Sequence, residues 1–98
     1  MENEKVKYLI DMINDMDIKD KLRLALRISD SSYTNLKYDK PETYKQFDTK
    51  LKKIDQEYRS TIINFNKYPI ITFSMAKVME LDTFTQDKLA LYLFNITA

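Results

Sequence analysis

The stretch from Pro41 to about Asn66, PETYKQFDTKLKKIDQEYRSTIINFN, constrains the fold more than any other part of the chain. Tyr44, Phe47, Leu51, Ile54, Tyr58, Ile62 and Phe65 recur at steps of three and four, which lays one apolar stripe along a helix. Asp48, Lys52, Lys53, Asp55, Gln56 and Arg59 fill the opposite side. The acid-before-base spacings Asp48–Lys52 and Asp55–Arg59 predict ion pairs on a solvated face, each contributing about 0.2–0.5 kcal/mol. Uninterrupted, such a helix is roughly 40 Å long. The pattern predicts a spine along which everything else packs.

The flanking residues read as further helices. Val6, Leu9, Ile10 and Ile13 space one apolar face over about Glu2 to Met16, with Glu2 and Glu4 at the positive end of the helix dipole. Asp17 is placed to cap a second helix from Ile18 to at least Ser29, extending at most to Lys37, with Asp20 three residues on. Ile18, Leu22, Ala25, Leu26, Tyr33 and Leu36 share one face of that helix. Leu24 and Ile28 lie on another, set apart by Arg23 and Arg27. Pro41 suits a first helical position, and Pro69 stops the spine because its ring blocks continuation. Ile70 to Phe73 has strand-like composition. With no partner strand in view, a buried helix ending near Leu81 is the better reading. Thr83 with Gln86 has the spacing of a capping box for a last helix, whose main face is Leu89, Tyr92, Leu93 and Ile96. Phe84, Leu91 and Phe94 form a second face. That helix is apolar nearly all round, so it is either central or part of an interface. The expectation is one domain over residues 1–98: an all-α compact bundle of four to five helices with one long central helix at about 41–66.

Composition removes most chemistry. The 98 residues contain no cysteine, histidine or glycine. Without the first two, a conventional zinc site, a cysteine nucleophile and an imidazole base are excluded. Without glycine there is no Rossmann fingerprint, Walker loop or EF-hand loop, and tight hairpins lose their usual residue. Asp11, Asp15, Asp17 and Asp20 make an acidic cluster, but helix spacing and capping account for them better than convergence on a cation. No cofactor or metal is implied, and the expectation is not an enzyme. The codon preference suggested by abundant lysine, isoleucine and asparagine is AT-rich.

Net charge is +1, which suits neither an acidic mimic of DNA nor a strongly basic binder of it. No apolar run approaches the roughly 18 residues that span a bilayer, and the acidic first residues do not read as a secretory signal. An intracellular, cytoplasmic protein is expected, in a host cell if the source is viral.

Two surfaces remain as candidates. Surplus apolar residues on helices two and five, Leu24, Ile28, Phe84, Leu91 and Phe94, are either core between layers or a protein-binding face. Around the helix two–three junction, Lys37, Tyr38, Lys40 and Lys45 interleave basic and aromatic residues in a pattern that can hold a nucleic-acid strand. The favoured expectation is a small non-enzymatic protein that acts by binding another protein. Phage inhibitors of host machinery, anti-CRISPR proteins among them, and bacteriocin immunity proteins include many helical chains of this size. That analogy rests on size, helicity and lack of chemistry, and no family motif carries it. The alternatives are a small nucleic-acid-binding or transcription-regulating protein, and a structural homodimer.

Overall fold

The computed structural model describes residues 4–30, 40–55 and 67–97. These form five helices: α1 (Glu4–Asp15), α2 (Ile18–Asp30), α3 (Pro41–Ile54), α4 (Pro69–Val78) and α5 (Thr83–Ile96). No strand occurs among the described residues, and the fold is all-α. The β-branched run at Ile70 is therefore helical, started by Pro69 at the first position with Tyr68 in extended backbone before it. Pro41 opens α3 in the same way. Asp17 caps α2 as its position predicts, its Oδ1 accepting from the Asp20 N–H at 2.9 Å. No described residue has a positive φ, so the turns at Met16 and at Met79–Leu81 are built without the conformation that favours glycine.

The spine is not where the sequence pattern puts it. α3 ends at Ile54, and Asp55 turns to extended backbone (φ −128°, ψ 97°) while its N–H still donates to Leu51 O. A straight helix over 41–66 would be about 39 Å long; α3 accounts for its first fourteen residues. Residues 56–66, and with them Tyr58, Arg59, Ile62 and Phe65, lie outside the described residues, as do Tyr33 and Leu36.

The central helix is α2, which packs against α3, α4 and α5. Leu22, Leu24, Ala25, Leu26 and Ile28 are all essentially inaccessible to water, so both apolar faces of α2 are enclosed. Each fully buried leucine or isoleucine contributes about 1.5–3 kcal/mol. Ser29, in the run of weak helix formers, is also buried; its hydroxyl donates to Ala25 O at 2.8 Å and is satisfied inside the helix. Leu9 and Ile13 of α1, Phe47 and Leu51 of α3, Ile71 and Val78 of α4, and Leu89 and Leu93 of α5 complete one contiguous core.

α5 is held to α3 at its far end. Phe94 meets Phe47 edge to face, ring centres 5.2 Å apart at 88°. Lys50 Nζ donates to Thr97 O at 2.8 Å and lies 5.0 Å from the Phe94 ring centre, supplying positive charge to a helix C-terminus that has no basic residue of its own. The start of α5 differs in one detail from the capping box expected at Thr83. Asp82 is the N-cap, its Oδ1 accepting from the Thr85 N–H at 2.7 Å. A carboxylate at the positive end of a helix outcompetes a hydroxyl for that place. Gln86, freed from capping its own helix, is buried and donates from Nε2 to Leu81 O at 2.9 Å and Val78 O at 3.3 Å, closing off the end of α4.

Candidate functional site

The residues singled out as a second apolar surface separate into three environments. Leu24 and Ile28 are core residues with no exposed area, so they cannot contribute to a contact face in this fold. Leu91 and Phe94 are partly buried and pack against the core, which ties them to α3 and leaves only their margins in water. Phe84 is 69% exposed. The five are thus not brought together. Of the basic and aromatic set, Lys40 and Lys45 are exposed at the start of α3, while Lys37 and Tyr38 lie outside the described residues.

Phe84 stands on the rim of an apolar groove between α1 and α5. Val6 and Ile10 form one wall, Leu89 and Tyr92 the other, and Leu81 the floor at one end, around a cavity of about 380 Å3. The wall residues repeat one helical turn apart, at 6 and 10 on α1 and at 85, 89 and 92 on α5. The first turns of the two helices meet in an adjoining hollow lined by Glu4, Lys5, Glu80, Asp82 and Thr85. About two to three turns on, Tyr92 Oη donates to Asn14 Oδ1 at 3.0 Å. α1 and α5 therefore run side by side in the same direction, open at their N-terminal ends and bridged by Tyr92 and Asn14. The trough between is about 15 Å long at 1.5 Å per residue.

Charges line the open end in compensated form. Lys5 Nζ and Glu80 Oε1 pair at 3.2 Å, both well exposed. Asp82 is held below the ordinary carboxylate value by hydrogen bonds from the Thr85 hydroxyl and backbone N–H, with a smaller contribution from Lys88. Lys88 in turn lies 4.5 Å from the Phe84 ring centre, a cation–π contact that orders the rim in water. A second exposed aromatic pair, Tyr8 and Phe73, flanks Lys77 at 5.9 and 5.6 Å on the α1–α4 side.

The acidic cluster disperses into separate structural roles. Asp17 caps α2, and Asp20 accepts from Arg23 at 2.9 Å. Among the described residues no three carboxylates converge as a metal site would require.

Arg23 is the feature that sequence reasoning missed. Its guanidinium donates to Asp55 Oδ2 at 2.6 Å and to Asp20 Oδ1 at 2.9 Å, and its Cζ lies 4.2 Å from the Tyr68 ring centre. Side-chain exposure is only 11% for Arg23 and 8% for Asp55, so this pair is internal. Burial disfavours the charge on Arg23, but the hydrogen bonds to Asp55 and Asp20 outweigh it and raise its pKa above the ordinary value. Asp55, assigned from periodicity to a solvated face, is buried and meets Arg23 of α2; its expected partner Arg59 lies outside the described residues. The signal was present: an arginine flanked by apolar residues on both sides of its helix needs an internal carboxylate. Asp48 and Lys52 do form the expected pair, at 3.1 Å on the surface.

Compared with profiles of known protein families, with curated proteins and with solved structures, the chain has no significant match.

Proposed function

We propose that this protein is a small non-enzymatic binding module that acts on another protein through the α1–α5 groove and its rim. The observation that supports this reading is Phe84, a large aromatic side chain left 69% exposed beside a cavity walled by Val6, Ile10, Leu89 and Tyr92. Exposed aromatics next to a formed apolar depression are the usual anchors of protein recognition. The groove carries no histidine or cysteine, and its ionisable groups serve as cap and surface pair rather than as an acid and base facing one another. A cytoplasmic inhibitor or accessory protein of phage or plasmid type, directed against host machinery in the manner of anti-CRISPR or immunity proteins, fits the AT-rich amino-acid usage and the cysteine-free composition.

Affinity capture from nuclease-treated bacterial extract, washed at 50 and 200 mM salt, tests the reading. A stoichiometric protein is expected to survive the high-salt wash and to be lost when Phe84→Glu is the bait. Recovery that depends on nucleic acid and disappears at high salt would replace this reading with one centred on Lys40 and Lys45. A solution mass twice that of the chain, abolished by Phe84→Glu, would make the groove a homodimer contact instead.

A further inference from the structure

We draw no further inference here: the strongest candidate, the apolar groove between α1 and α5 with Phe84 on its rim, belongs to the site already described, and nothing in the structure shows what covers it.

Discussion

α2 and α5 share one sequence feature, a second apolar face, and differ in what becomes of it. Each carries two apolar faces, Leu22 and Leu26 against Leu24 and Ile28 on α2, Leu89 and Leu93 against Phe84, Leu91 and Phe94 on α5. On α2 both faces are closed by α3, α4 and α5. On α5 the Gln86–Leu89–Ala90–Leu93 face is closed, Leu91 and Phe94 are partly covered, and Phe84 is left in water. A second apolar face calls for a cover, but what covers it is decided by the neighbours the fold supplies. α2 receives its neighbours from its own chain. Among the described residues α5 has an open groove along its α1 side.

The largest effect should come from trying to treat the two second faces as equivalent. Leu24→Ala removes side-chain volume from a site with no exposed area and is expected to cost about 2–5 kcal/mol in urea denaturation. Phe84→Ala, made on the corresponding face of α5, is expected to change stability by no more than about 0.5 kcal/mol. If the Phe84 variant lost as much as the Leu24 variant, the rim would be core and the contrast between the helices would fail.

The same contrast extends to their cations. Lys88 on α5 rests over an exposed ring, whereas Arg23 on α2 is held internally by Asp55, Asp20 and Tyr68. Removing the internal acid strands a guanidinium. Asp55→Ala is expected to destabilise by about 2–3 kcal/mol, somewhat under the 3–5 kcal/mol of a fully isolated pair because Asp20 still accepts from the same group. Replacing both partners, Arg23→Met with Asp55→Leu, should recover most of that loss, since neither charge is then left buried. Equal losses in the single and double variants would mean that Asp55 matters for ending α3 rather than for answering Arg23.

These residues also mark how far the sequence could be read. Helix positions followed from local patterns, and Asp17, Pro41 and Pro69 stand where capping and proline geometry place them. The choice of central helix did not follow, because the apolar stripe of 41–66 is a property of one segment, whereas centrality depends on every other element. Ending α3 at Ile54 is a tertiary decision: the backbone of Asp55 is extended and its carboxylate answers a distant arginine on α2. Leu24, Ile28 and Phe84 were indistinguishable as surplus apolar residues, and only packing sorted two of them inward and one outward. The groove was likewise illegible, because its walls come from opposite ends of the chain and neither end alone shows an unfilled space.

The smallest expected effect concerns the mouth of that groove and separates a hydrogen bond from a charge. Asp82 is fully exposed and caps α5, with its pKa held low first by the Thr85 hydroxyl and then by the Thr85 backbone N–H. A carboxylate whose folded-state value is depressed adds stability that is complete above the unfolded value, about 3.9. That stability is lost as pH falls through the lower folded value. Asp82→Asn keeps a good capping acceptor and removes the titration. The stability difference between the parent protein and this variant, followed by thermal unfolding from neutral pH downward, should therefore be small, favour the parent near neutrality, and shrink on acidification. All other carboxylates are common to both proteins and largely cancel in the difference. A difference that stays constant with pH would mean that Asp82 acts only as an acceptor for Thr85. The favourable interaction of a full charge with the positive end of α5 would then be screened by water at this exposed position, leaving the hydrogen bond alone to hold the first turn.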